Sequence, residues 1–293
     1  MRLFSSIICL ASLMSAAAIG QEPPQAAQDA PATSSKTDLT VVSFNILVDF
    51  GSSEGVPRWP ERRELCVQLL KDSHAQLIGL QEPSPGQMKW LGEQLSMYEA
   101  VFYRRTPTDK GYPDAALLYE RERFEEKERG HWWLSPTPEK VSTGFGNTLP
   151  RLVVWAQLRD KLTDKELIVF NTHFDNTMPS QERMAELCSR QFEKFTPRGL
   201  PMLFLGDFNT DQKRGDYARL TSGGWRDSYT TAEQASDDGR DDRVATHLGG
   251  TRIDHIFYHG EGLTPIAWQR LESPDPARAL SDHFPILARF RWK

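Results

Sequence analysis

Gly206-Asp207-Phe208-Asn209 and, near the C-terminus, Ser281-Asp282-His283-Phe284-Pro285 decide how this chain is read. The first stretch sets a carboxylate and a carboxamide two residues apart, on one side of the chain if it is extended there. The second sets a carboxylate beside an imidazole. Carboxylates hold hard divalent cations, and an imidazole titrating near neutrality takes a proton from water. Together they are the equipment of a metal-assisted phosphoester hydrolase. Either stretch alone says little, because Asp-x-Asn and Asp-His are common in loops.

Working outward, the same design recurs. Val41-Val42-Ser43-Phe44-Asn45 is an apolar run ending in a carboxamide, and Leu77-Ile78-Gly79-Leu80-Gln81-Glu82 ends in a carboxylate. Leu167 to His173 ends in an imidazole, with Asp175 two residues on, and Met202-Leu203-Phe204-Leu205 leads into Gly206-Asp207. Arg252-Ile253-Asp254-His255-Ile256-Phe257-Tyr258 is β-rich with a carboxylate inside it. Near-continuous apolar runs of this length read as strands buried on both faces. Polar residues at their ends fall on the rim of the sheet core, which gathers Asn45, Glu82, His173, Asp207, Asn209, Asp254, Asp282 and His283 into one pocket. Taken singly, Asn45 reads as a turn residue, Glu82 as a strand end and His173 as a structural histidine. Asp254 inside an apolar strand needs a partner, and His283 is the candidate.

In this order, Ser43-Phe44-Asn45-Ile46, Gln81-Glu82, Asn171-Thr172-His173, Gly206-Asp207-Phe208-Asn209, Arg252-Ile253-Asp254 and Ser281-Asp282-His283-Phe284-Pro285 resemble the endonuclease/exonuclease/phosphatase superfamily. Its members include pancreatic-type deoxyribonuclease, abasic-site repair nucleases, neutral sphingomyelinases and inositol-polyphosphate phosphatases. The resemblance spans residues 38 to 293 and implies a four-layer α/β sandwich, two packed mixed β-sheets with helices on the outer faces. Trp132 to Pro138, Leu149-Pro150-Arg151, Trp155, Asn171 to Asp175 and Thr246-His247-Leu248-Gly249 are similar to a bacterial secreted branch, which often carries an aromatic where His247 stands. The family pattern has an acidic residue before Ala116-Leu117-Leu118-Tyr119, and Asp114 is the nearest candidate.

The resemblance and the residue types together assign roles. Glu82 is the primary metal ligand with Asn45 in support, and Asp207, Asn209 and Asp282 complete the metal and phosphate environment. Such an oxygen-rich site suits Mg²⁺ or Mn²⁺, and also accommodates Ca²⁺, better than Zn²⁺. His283 is the general base and Asp254 holds its ring. His173 binds a non-bridging phosphate oxygen, the resemblance adds Asp207 as a proton donor to the leaving group, and Arg151 is either a phosphate contact or a structural ion-pair former.

Residues 1–20 read as a signal peptide: Arg2, an apolar stretch from Leu3 to Leu13, then small residues. That stretch is too short for a membrane span, so a secreted or periplasmic location is expected. Residues 21–37, rich in Gln, Pro, Ala, Ser and Thr, read as a linker, leaving 38–293 as one domain. The net charge of −5 offers no bulk attraction to a polyanion. Clustered Arg58, Arg62 and Arg63, and Arg104 and Arg105, read as solvated charges, and Asp237 to Arg243 as a surface loop rather than a calcium site. Outside the leader, Cys66 and Cys188 fall in helical patterns and are expected as separate buried thiols. The expected protein is a monomer acting on a small phosphorylated substrate. A secreted deoxyribonuclease-like endonuclease and a catalytically inactive binding module are the alternatives.

Overall fold

The structure, a computed structural model, describes residues 35–105, 114–235 and 244–293. The leader, residues 21–34 of the linker and the acidic run Asp237 to Arg243 lie outside the described residues. One compact unit runs from Lys36 to Lys293. Its first part is β1 (Leu39–Asn45), α1 (Trp59–Asp72), β2 (Leu77–Gln81), α2 (Pro85–Gln94), β3 (Tyr98–Phe102) and β4 (Ala115–Glu120). Then come β5 (Phe124–Trp133), β6 (Leu152–Asp160), β7 (Lys165–His173), α3 (Ser180–Phe192), β8 (Met202–Asp207) and α4 (Gly215–Ser222). The chain closes with β9 (Arg226–Asp227), α5 (Ser228–Thr231), β10 (Gln234–Ala235), β11 (Asp254–His259), β12 (Leu263–Arg270) and β13 (Ile286–Trp292).

Two mixed sheets result. The first has seven strands in the order β10-β12-β13-β1-β2-β4-β3, the second six in the order β5-β6-β7-β8-β11-β9. Strands β1 and β2 run parallel, as do β7 and β8, while β8 and β11 are antiparallel. Alternation along each strand sorts its side chains. On β1, Val41 enters the layer between the sheets and Val42 and Phe44 face outward; on β8, Leu203 and Leu205 turn inward and Met202 and Phe204 outward. The outer face of the first sheet is covered by α1 and α2 through Cys66, Leu70 and Leu91, and that of the second by α3 through Met184, Cys188 and Phe192. This is the expected four-layer sandwich. Both faces of the central strands are buried, which is why their sequences are continuously apolar.

Trp132, Trp133 and Trp155 are all core residues. Helix α2 starts with a complete capping box: Gln87 N donates to Ser84 Oγ (3.1 Å) and Ser84 N to Gln87 Oε1 (2.8 Å). The two cysteines sit in different outer layers and are free. Burial pushes the Cys66 thiol up to about 12 and the Cys188 thiol higher still. Both thiols should therefore resist a thiol reagent in the native protein and react once it is denatured without reductant. Denatured protein in which these two thiols stay unreactive would reveal a disulfide.

Candidate active site

The strand pleat builds the site. Continuing the alternation, Asn45 on β1, His173 on β7, Asp207 on β8 and Asp254 on β11 all turn into the inter-sheet layer, at the end where it opens. Register aligns them: His173 stands beside Asp207, and Asp207 beside Asp254. Across the layer, Asn45 Nδ2 donates to Asp207 Oδ2 (2.9 Å) and, more weakly, to Glu82 Oε1 (3.4 Å). Its Oδ1 accepts from Leu47 N (3.1 Å). Glu82 follows β2 with φ of 60°, its N–H donating to Asp114 O (2.9 Å) and its Oε2 accepting from Val48 N (3.3 Å). Four of the six described non-glycine residues with positive φ, Leu47, Glu82, Asp114 and Asn209, cluster in these loops. Each such backbone costs on the order of 1 kcal/mol and persists only where its surroundings dictate it.

Beneath the site Asn171 locks the sheets together. Its Nδ2 donates to Leu80 O (2.9 Å) and Ala116 O (2.8 Å), and its Oδ1 accepts from Gln81 Nε2 (2.7 Å). Gly79 makes the approach feasible, since a Cβ there would lie 2.5 Å from Asn171 Oδ1.

His283 Nδ1 pairs with Asp254 Oδ2 at 2.8 Å, while Nε2 lies 3.5 Å from Asp207 Oδ2. Burial alone would lower the imidazole, but Asp254 and Asp207 outweigh it and raise the group to about 10. Burial pushes the Asp254 carboxyl up against the lowering field of His283. Thr246 Oγ1 accepts from the amides of Ile253 and Asp254 (3.0 Å each), and Thr246 O accepts from Phe284 N (2.7 Å). One residue thus ties the Asp254 strand to the His283 loop. The His247 ring meets His283 edge-on, centroids 4.8 Å apart.

On the other side, Asp114 Oδ1 lies 3.2 Å from His173 Nδ1 and accepts from Arg151 Nη1 (2.7 Å). Burial would raise Asp114, but Arg151, His173 and Arg105 together hold it well below the carboxylate range. His173 Nδ1 also lies 2.9 Å from Arg151 Nη1, and Nε2 faces Asn209 Nδ2 (3.3 Å) and Asp207 Oδ2 (3.5 Å). Asn209 does not continue β8. Its φ is 51° and its N–H donates to Asp207 Oδ1 (2.9 Å), so an Asx turn, not strand alternation, brings the two side chains together. Behind it, His255 Nε2 donates to Thr210 O (2.9 Å), while His255 Nδ1 lies 3.0 Å from Asp227 Oδ2 and Arg252 Nη1 donates to that oxygen at 2.8 Å.

The family model for the endonuclease/exonuclease/phosphatase family matches residues 42–283. The chain belongs to that family. Its members are phosphoester hydrolases. Among solved structures, the chain is similar to a mannosyl-6-phosphatase of Bacteroides thetaiotaomicron at 28% identity and a TM-score of 0.76, covering 86% of this chain and 99% of that one. A family protein of Bacteroides vulgatus matches at 26% identity and a TM-score of 0.78, over 88% of this chain and 100% of the other. An uncharacterised protein of Acanthamoeba polyphaga mimivirus is 23% identical over 275 residues, 86% of this chain and all of its own length.

Seen within this endonuclease/exonuclease/phosphatase member, Asn45, Glu82, His173, Asp207, Asn209, Asp254 and His283 form one connected cluster. Asp282 stands at its edge, its carboxylate accepting from Ser281 Oγ (3.2 Å) and adding negative field at His283. Asn45 turns its Nδ2, not its Oδ1, toward the two carboxylates. Arg151 is a buried partner of Asp114, with Asp175 at 3.7 Å. Two arginines read as solvated are not. Arg105 contacts Asp114 Oδ1 at 2.6 Å, and Arg62 is almost wholly buried. Arg62 donates to Ile46 O (2.5 Å), Leu47 O (2.6 Å), Leu280 O (2.7 Å) and Pro57 O (3.1 Å), joining the loop after Asn45 to the one before Asp282. Its place in a cluster of arginines marked Arg62 as solvated, but the carbonyls it satisfies come from distant segments. Asn171 and Thr246 bridge distant segments as well, roles that their motifs alone do not reveal.

Glu82 and Asp207, from different sheets, converge on one amide, a hard-oxygen set that fits a divalent cation. Asp207, Asp254 and His283 also present ligand atoms within 4.8 Å of one another. Both ring nitrogens of His283 already face carboxylates, which suits that residue to proton transfer.

Burial would raise Asp227, yet Arg252 and His255 hold it below the carboxylate range. A depressed folded value contributes stability that is complete above the unfolded value, about 3.9, and is lost progressively as pH falls from there through the lower folded value. Thermal melts should show Tm dropping below about pH 4. In Asp227→Asn the drop should be shallower and the neutral-pH Tm lower; an unchanged acid limb would remove Asp227 from the cause.

Proposed function

We propose that this protein is a divalent-metal-dependent phosphoester hydrolase acting outside the cytoplasm on a small sugar phosphomonoester. One observation carries the reaction: His283, buttressed through Nδ1 by Asp254, directs Nε2 into the strand-end pocket 3.5 Å from Asp207. The likeness to a mannosyl-6-phosphatase supports the substrate class, as does the negative net charge of −5. The leader-like residues 1–20 support the location.

In this reading His283, once it has lost the Nε2 proton that the Asp254 and Asp207 carboxylates stabilise, takes a proton from the attacking water, so turnover rises with pH, and Asp254 stabilises the imidazolium that forms. His173, aligned by Asp114, and Asn209 hold non-bridging phosphate oxygens. Asp207 stands 3.5 Å from both imidazoles, where as a carboxylate it orients the nucleophile and relays to the leaving oxygen the proton that His283 takes from water. Burial would raise it, but the fields of His283 and His173 with the Asn45 and Asn209 hydrogen bonds keep it ionised. Glu82 and Asp207, with Asp282 nearby, would hold Mg²⁺ or Mn²⁺. When bound, the cation neutralises phosphate charge and stabilises the charge that develops in the transition state.

Full activity should require added Mg²⁺ or Mn²⁺ and disappear with EDTA; activity surviving exhaustive chelation would refute the metal. His283→Ala should lower kcat by roughly 10²–10⁴-fold. Asp254→Asn should fold and lose rate as well, whereas wild-type turnover in that variant would break the proposed pairing.

Against a panel of mannose 6-phosphate, glucose 6-phosphate, bis-(p-nitrophenyl) phosphate, sphingomyelin and supercoiled plasmid, the sugar phosphates should be turned over best. Plasmid nicking at low enzyme concentration, suppressed by salt and absent in His283→Ala, would instead identify a nuclease.

A further inference from the structure

A cleft of about 360 Å³ lies between α1, α2 and the loop after β1, lined by Asp49, Trp59, Arg63, Gly86, Lys89, Trp90 and Glu93. Its volume sits at the lower end of the range for small-ligand pockets, about 300–1,000 Å³. The wall is rigid. Trp59 and Trp90 meet edge-to-face at 5.7 Å, Arg62 lies over the Trp59 ring and Arg63 over the Trp90 ring, at 5.1 and 5.0 Å. Lys89 and Glu93 are exposed, and Asp49 is half-buried.

The cleft's chemistry differs from that of the strand-end pocket. Two cations, Arg63 and Lys89, face two anions, Asp49 and Glu93, so the cleft has no net charge with which to select a phosphate. Hydroxyl groups satisfy both kinds of partner, donating to carboxylates and accepting from ammonium or guanidinium groups. The half-buried Trp90 offers indole surface that packs against apolar C–H faces, whereas Trp59 is buried. A neutral ligand dense in hydroxyls and carrying C–H faces is a sugar ring. The two sites are also joined through the chain. Asp49 follows Val48, whose N–H donates to Glu82 (3.3 Å), and Gly86 is four residues beyond Glu82, within about 14 Å of chain.

We propose that this cleft binds the neutral sugar next to the phosphorylated one, so that the preferred substrate is an oligosaccharide phosphate. The proposal rests on the sugar-phosphatase reading and names its substrate more closely. The full-length protein is assayed on mannose 6-phosphate and on mannobiose 6-phosphate, with Trp90→Ala and Lys89→Ala/Glu93→Ala as variants. The double variant changes only exposed side chains and so guards against a folding defect. Wild type should prefer the disaccharide phosphate about tenfold in kcat/KM. Both variants should lose that preference while keeping their rate on mannose 6-phosphate. No preference in wild type, or one retained in both variants, overturns the proposal. Saturation-transfer NMR with unphosphorylated mannobiose reads the cleft without catalysis. If neither phosphate is hydrolysed but mannobiose binds in a Trp90-dependent way, the cleft assignment stands and the sugar-phosphatase reading falls. Absence of binding in wild type overturns the cleft assignment itself.

Discussion

The Asp207 carboxylate is the point on which the site depends. It is buried at the end of a strand in one sheet, yet it accepts a hydrogen bond from Asn45 in the other (2.9 Å) and faces two imidazoles, each at 3.5 Å. A buried carboxylate without such partners would be protonated or would draw in water. Its ionised form thus requires both sheets to present their polar strand ends at the same height. Asn171 enforces that match one layer lower, where it spends its amide on carbonyls of the opposite sheet.

The remaining supports act on loops. Arg62 draws together carbonyls from Ile46, Leu47 and Leu280, and Thr246 joins the Asp254 strand to the His283 segment. Leaving a buried carbonyl unpaired costs about 1–3 kcal/mol, so each clamp fixes loop positions that propensity alone would leave free. The result is a preorganised pocket in which two imidazoles flank one carboxylate, each held from behind by a second carboxylate, Asp254 or Asp114. In the proposed reaction that symmetry divides proton transfer from phosphate binding.

Much of this was legible in the linear chain. Apolar runs marked β1, β2, β7, β8 and β11 because strands covered on both faces leave little room for polar residues, and the polar residue closing each run marked the rim. The pairing of Asp254 with His283 followed from the cost of burying an unpaired carboxylate. Two helical patterns carried Cys66 and Cys188, and the family resemblance set those helices on opposite sheets. The solvated reading of Arg62 and Arg105 failed because an arginine's burial depends on which carbonyls or carboxylates fold over it. The extended reading of Asp207 to Asn209 failed because a local side-chain hydrogen bond turned the backbone there.

The sequence by itself determined the family, the strand periodicity and the residue types that meet at the rim, since these follow from burial along single elements. Only the tertiary structure decided which nitrogen of His283 faces Asp254, that Asn45 turns its amide nitrogen to the carboxylates, and that Asp114 stands behind His173. The same holds for the cleft beside Trp90. Those facts are set by register between strands and by loops packed from opposite ends of the chain, distances that no local pattern encodes.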